Sequence, residues 1–249
     1  MSGHSKWATI KRAKATTDAK RGNLFTKLGN NITVAAKDGS GDINSNFKLR
    51  LAIENAKSFN MPKENIERAV KRGTGELKGG VIEELEYGAF LPGQIAVIIK
   101  CLTDNKNRTL TDVKTAVQKN GGQMTDIKSV LWQFDNKGVI KINSVGAGLA
   151  PAQQKTPAQQ GELEEIIINS GADDYEEEED EWIIYTRSED LRSVKENLEQ
   201  AGLKIDSADL EMVAKEPKEA DDDIMEKVAK VLAALDDVDE VSEYYTNLK

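Results

Sequence analysis

Gly93-Gln94-Ile95-Ala96-Val97-Ile98-Ile99 marks the point where the chain stops reading as helix. Its β-branched run predicts a buried strand, and Leu91-Pro92-Gly93 before it is a turn signal. Working back towards the N-terminus, the period is helical. Leu24, Leu28, Ile32 and Ala35 recur at spacings of four, four and three, one apolar stripe. Asp38-Gly39-Ser40-Gly41-Asp42 ends that helix. Leu49, Ala52, Ile53 and Ala56 form a second stripe, stopped near Asn60-Met61. Pro62 suits the opening of a third helix, in which Ile66, Ala69 and Val70 face inward and which Gly73-Thr74-Gly75 ends. Residues 1–78 are therefore expected as a three-helix domain.

Beyond the strand, residues 109–119 form an amphipathic pattern with Leu110, Val113, Ala116 and Val117 inward. Ser129 to Phe134 and Val139 to Ile142 read as strands split by a turn at Asp135-Asn136-Lys137-Gly138. Residues 144–160 are low in complexity and read as a loop. A helix over 163–170, a strand over 182–186 and a helix over 191–201 follow. Then come a broken strand over 203–213, a helix over 224–235 and a short strand over 241–245. Such alternation predicts small sheets with helices on one face.

Charge divides at the same place as the period. The first eighty residues hold 16 Lys/Arg against 7 Asp/Glu, and the other 169 hold 18 against 36. A chain of net charge −9 is thus a +9 segment joined to a −18 segment. Screening confines surface fields to about 8–10 Å at physiological salt, so a partner on the basic face scarcely senses the distant acids. This asymmetry points to nucleic acid, and less often to an anionic membrane. The leader concentrates it: Lys6, Lys11, Arg12, Lys14, Lys20, Arg21 and Lys27 are opposed only by Asp18. These seven cations are the expected phosphate contacts. His4 and Trp7 are candidate base or backbone contacts, with packing as the competing role for Trp7. Lys63, Arg68, Lys71 and Arg72 extend the footprint, although helix-end electrostatics explains them nearly as well. Asn105, Asn107 and Arg108 precede a helix and offer either a second polar contact or a cap.

Signs of an enzyme are few. His4 is the single histidine and Cys101 the single cysteine, so neither a His pair nor a thiolate cluster can hold zinc. No phosphate-binding GxxxxGK[ST] loop, GxSxG elbow or GxGxxG turn is present. No catalytic residue, metal or cofactor is expected. An Asp/Glu-based, metal-dependent phosphodiesterase stays open as a rival, as does a protein-interaction scaffold. Residues 173–181 contain eight acids in nine positions. They read as a solvated loop, or else as an element that keeps the C-terminal half off nucleic acid. With one cysteine inside an apolar run, no apolar signal core and no long apolar stretch, the expectation is a cytoplasmic monomer away from membranes.

Several long motifs resemble the YebC family, whose members include a mitochondrial translational activator of cytochrome oxidase. They are Met1-Ser2-Gly3-His4-Ser5-Lys6-Trp7-Ala8-Thr9-Ile10-Lys11, Asp18-Ala19-Lys20-Arg21-Gly22 with Phe25-Thr26-Lys27-Leu28, and Asn60-Met61-Pro62-Lys63-Glu64-Asn65-Ile66. Lys71-Arg72-Gly73-Thr74-Gly75-Glu76, the run from Cys101 to Thr109, and Tyr245-Thr246-Asn247 complete the likeness. It implies an α+β chain: an N-terminal three-helix domain, then two small α/β domains of ferredoxin-like topology, one inserted in the other. The implied division is 1–78, then 79–135 with 209–249, and an inserted acidic 136–208. It also implies a DNA-binding transcriptional regulator, or a factor that relieves ribosomes stalled at proline-rich stretches. Partners would then be DNA or ribosomal RNA and the ribosome. The chain departs from the family at Ala13, at Gln123 to Lys128 and in the length of 144–160. Without a recognisable reading helix, the ribosome is the favoured partner over promoter DNA.

Overall fold

A computed structural model describes residues 18–77, 80–143, 157–178 and 181–249. The described chain forms two compact units. One runs to Asp135 and resumes at Val213–Lys249, and the other is Asn136–Met212.

Three helices open the first unit: α1 (Asp18–Asp38), α2 (Phe47–Ser58) and α3 (Lys63–Gly73). Leu28, Ile32, Ala35, Leu49, Ile53, Ala56, Ile66 and Ala69 form their common core. Asn46 makes the corner between α1 and α2. Its Oδ1 accepts from Leu49 N at 3.0 Å, and its Nδ2 donates to the carbonyls of Ala35 and Ser40, each at 2.8 Å. One buried side chain thereby closes one helix and caps the next. Close approach of α1 and α3 depends on Gly73, where a Cβ would collide with the carbonyl oxygen of Thr33 and stand 2.7 Å from Ala36 Cβ.

The sheet of this unit comprises β1 (Glu83–Leu91), β2 (Ile95–Thr103), β3 (Gln123–Thr125) and β8 (Val241–Thr246), in the order β3-β1-β2-β8. Every pairing is antiparallel, and β1 and β2 pair over their full length around the tight turn at Pro92–Gln94. Gly93 takes φ +75° there, a conformation glycine adopts without strain. Val97, Ile99 and Cys101 meet Val113 and Val117 of α4 (Lys106–Lys119) and Val228, Val231 and Leu235 of α8 (Asp222–Asp236). The C-terminal strand is pinned through Asn247, whose Oδ1 accepts from Ala96 N at 2.9 Å.

The second unit reads β4 (Phe134–Asn143), α6 (Pro157–Asn169), β5 (Asp174–Glu177), β6 (Glu181–Arg187), α7 (Leu191–Gln200) and β7 (Ser207–Ala214). Its order, β5-β6-β4-β7, is that of a ferredoxin-like βαββαβ sheet. Ile140, Ile142, Trp182 and Ile184 are buried in it with Leu191, Val194 and Leu198 of α7.

Four local expectations are corrected. Ser129 to Gln133 is not a strand, and only Phe134 of the expected run is: Lys128–Leu131 is a short helix, α5. Asp126 Oδ1 accepts from Lys128 N at 2.8 Å to start it, and Gly88 of β1 leaves room for Val130. The supposed turn at Asp135 to Gly138 lies within β4, with Lys137 and Gly138 paired to Arg187 and Thr186. Leu110 is 44% exposed rather than buried, because Thr109, fully buried, takes the inward place. The acidic run is not all loop, since Asp174–Glu177 is an edge strand whose Tyr175 ring lies 5.4 Å from the Trp182 ring. The stretch 144–156 lies outside the described residues.

Candidate nucleic-acid interface

Of the expected phosphate contacts, Lys6, Lys11, Arg12 and Lys14 lie outside the described residues, together with His4 and Trp7. Lys20 and Arg21 fall in the first turn of the described α1. Lys27 is a different case. It is buried, with 6% exposure, and its Nζ donates to the Asp236 carbonyl at 2.7 Å. That carbonyl ends α8, where unsatisfied oxygens concentrate the negative end of the helix dipole. A cation so placed holds α1 against α8 and is not presented to a phosphate, so the expected contact at Lys27 is withdrawn.

Helix α3 carries the exposed cations. Lys63 protrudes at 89% side-chain exposure and stands 3.6 Å from Glu67, one turn on. Arg68 and Lys71 are exposed and make no ion pair among the described residues. Three positions apart, they share one face of the helix. Arg72 is half-buried, and its Nε lacks a hydrogen-bond partner among the described residues. Glu64 and Glu67 share the exposed surface with these cations.

The Asp104 to Thr109 motif is largely committed within the fold. Asn105 caps α4, its Oδ1 accepting from Arg108 N at 3.1 Å. Arg108 reaches Glu240 at 2.8 Å and Asp104 at 3.2 Å, and both carboxylates hold its guanidinium pKa above the usual value, Glu240 foremost. Lys106 pairs with Glu83 at 2.6 Å and holds that carboxyl below its ordinary pKa. Only Asn107 keeps an exposed, uncommitted side chain. Capping is therefore what Asn105 does, and bracing is what Arg108 does. A cleft of about 710 Å³ beside them is lined by Arg108, Lys119, Asp237, Asp239 and Glu240 among others. Its carboxylates outnumber its cations, which suits no anion.

Sequence reasoning passed over two exposed residues of α5 and its C-cap, Lys128 and Trp132. Trp132 is 69% exposed. The strand reading of this segment hid the fact that the two lie one helical turn apart. Among the described residues no three His, Cys, Asp or Glu side chains gather as metal ligands, and no helix is long and apolar enough to cross a membrane.

Comparison with known proteins covers nearly all of the chain. Residues 5–76 match the family model for the TACO1/YebC protein N-terminal domain, and residues 82–248 match that for the TACO1/YebC second and third domains. A "probable transcriptional regulatory protein" of Desulforapulum autotrophicum is 43% identical over 247 residues, 99% of this chain and 96% of that one. One from Chloroherpeton thalassium is 44% identical over 250 residues, spanning 100% and 96%. The crystal structure of a conserved hypothetical protein from Aquifex aeolicus superposes with a TM-score of 0.82 at 39% identity, covering 95% of this chain and 93% of that one.

Proposed function

The chain belongs to the TACO1/YebC family, and from that premise we propose that it is a non-enzymatic, nucleic-acid-binding regulator of gene expression that works as a cytoplasmic monomer at the ribosome. The observation that carries this reading is the confinement of the net positive charge to the first eighty residues, 16 Lys/Arg against 7 Asp/Glu. Lys6, Lys11, Arg12, Lys14, Lys20 and Arg21 neutralise phosphates, and Arg68 and Lys71 extend the surface along α3. Ribosomal RNA presents such phosphates densely, and relief of stalling at proline-rich stretches is the activity this placement serves.

The names of the relatives favour a second reading, in which the target is promoter DNA. Against a base-reading role for α3, its exposed face carries Glu64 and Glu67, which a groove walled by phosphates repels. Backbone contact without base readout is the mode this charge pattern supports.

The test is to change Lys11, Arg12 and Lys14 together to Ala and to measure affinity for ribosomal RNA fragments and for duplex DNA across salt. Affinity should fall, and the log–log salt slope should flatten by about 0.7–0.9 for each phosphate no longer neutralised. An unchanged slope removes the reading. Preference for duplex DNA over RNA, with crosslinking to promoters in cells, moves the target to DNA.

A further inference from the structure

Trp132 is the most exposed of the large apolar side chains among the described residues, at 69%, and it is also firmly held. Its indole Nε1 donates to the Ser129 carbonyl at 3.0 Å, which ties the ring to the turn of α5. The residue after it is anchored from both sides. Gln133 O accepts from Lys215 N at 2.9 Å, and Gln133 Oε1 accepts from Asn247 Nδ2 at 2.9 Å. Val130 and Phe134, two residues before and two after Trp132, are buried. An ordered ring loses little entropy when something stacks on it.

We propose that Trp132 is a stacking platform for an unpaired base of single-stranded RNA, with Lys128 supplying the neighbouring phosphate contact. The inference rests on the nucleic-acid reading above but concerns a different surface. Lys128 lies four residues before Trp132 on the helical turn, so both emerge on one face. Its ammonium is exposed and makes no ion pair among the described residues. Of its exposed or half-buried sequence neighbours, Ser129, Gln133 and Asp135 are polar, and Leu131 alone is apolar. A lone ring in such a rim lacks the contiguous apolar core of a protein interface. Stacking needs only the face of the ring and a cation nearby, and it tolerates any base.

The probe is a short unstructured RNA of mixed sequence, set beside the same sugar–phosphate backbone carrying abasic sites. Three tryptophans are present, so the emission lost in Trp132→Phe defines the Trp132 fluorescence. The RNA should quench it, and the abasic backbone should not. Trp132→Ala should weaken RNA binding roughly tenfold without altering the salt slope, and Trp132→Tyr should restore most of it. Lys128→Ala should lower the slope by about 0.7. Absent quenching together with unchanged affinity in Trp132→Ala overturns the proposal. So does a Trp132→Ala variant that keeps RNA affinity but no longer sediments with ribosomes, which assigns the ring to a protein contact. If the wild-type chain binds no RNA, the proposed function falls too, whereas insensitivity to Trp132 alone removes only this inference.

Discussion

Lys27 of the first helix donates its ammonium to the main-chain carbonyl of Asp236, the last residue of α8, across 2.7 Å. This bond ties the basic helical segment to the sheet-bearing part of the same unit, which sequence places more than two hundred residues away. Because the ammonium is buried, its loss removes a charged donor from a carbonyl oxygen at a helix end. Lys27→Ala should cost about 2–3 kcal/mol, read as a shift of the urea midpoint at constant slope. The salt dependence of nucleic-acid binding should stay as in the wild type. A flattened salt slope in that variant would show that Lys27 meets phosphate after all.

Gly73 belongs to the Gly73-Thr74-Gly75 stretch expected only to end the third helix. It ends that helix, and its surroundings give it a packing role as well. A Cβ there would meet Thr33 O and Ala36 Cβ of α1, and the Thr33 hydroxyl is within 3.1 Å of Ala69 O and 2.9 Å of Gly29 O. Gly73→Ala must push α3 off α1 and should destabilise by about 1–3 kcal/mol, seen as a lowered melting temperature. Gly75 has φ +81° with open space around it, so Gly75→Ala should cost about 1 kcal/mol through backbone strain alone.

The likeness at Tyr245-Thr246-Asn247 also resolves into architecture. Asn247 is 4% exposed and satisfies Ala96 N and Gln133 Oε1 at 2.9 Å each. Asn247→Ala leaves a buried N–H unpaired and should cost about 1–3 kcal/mol. Asn247→Asp keeps the acceptor for Ala96 but loses the donor to Gln133 and buries a carboxylate, so denaturant unfolding should rank it no more stable than Ala. Trp132 fluorescence should report loosening in both variants, since Gln133 is the neighbour they release.

The helical segment is legible in sequence because its apolar stripes have one period and its breakers are Gly and Pro. The hairpin of β1 and β2 is equally plain, since Leu91-Pro92-Gly93 sits between two strand-forming runs. What sequence hides is decided by partners far along the chain. Leu110 and Thr109 compete for one inward position, and the sheet takes the smaller hydroxyl-bearing residue. Ser129 to Trp132 has strand-like composition, but Gly88 on β1 opens a hollow that a helical Val130 fills. The basic character of the Lys27 segment is evident from its composition, while the burial of Lys27 depends on Asp236, which no local pattern announces.

Exposed ion pairs should matter little by comparison. Arg108 and Asp104 are about half exposed, although Glu240 is not, and solvent screens such pairs strongly. Arg108→Ala should therefore leave the urea midpoint almost unmoved and RNA affinity near the wild-type value. A large affinity loss, measured by filter binding at fixed salt, would restore Arg108 as a contact residue.

Cys101 gives the clearest pH signature. Its side chain is fully buried on β2, and burial pushes the thiol up from 9.0 to about 12, with Glu240 adding to the rise and Lys27 opposing it. The Tyr244 phenol is raised for the same first reason, with Asp236 contributing. A thiol whose folded pKa exceeds its unfolded one binds its proton more tightly when native. Its contribution to stability is then full below pH 9 and is lost as pH rises towards 12. Denaturant melts should show falling stability across that alkaline window, and Cys101→Ala should flatten part of the fall. At pH 8 the native chain should resist iodoacetamide and react only after unfolding, because the thiolate is the nucleophile and the native site suppresses it. Rapid labelling of the folded chain at pH 8 would show that β2 opens far more readily than its packing indicates.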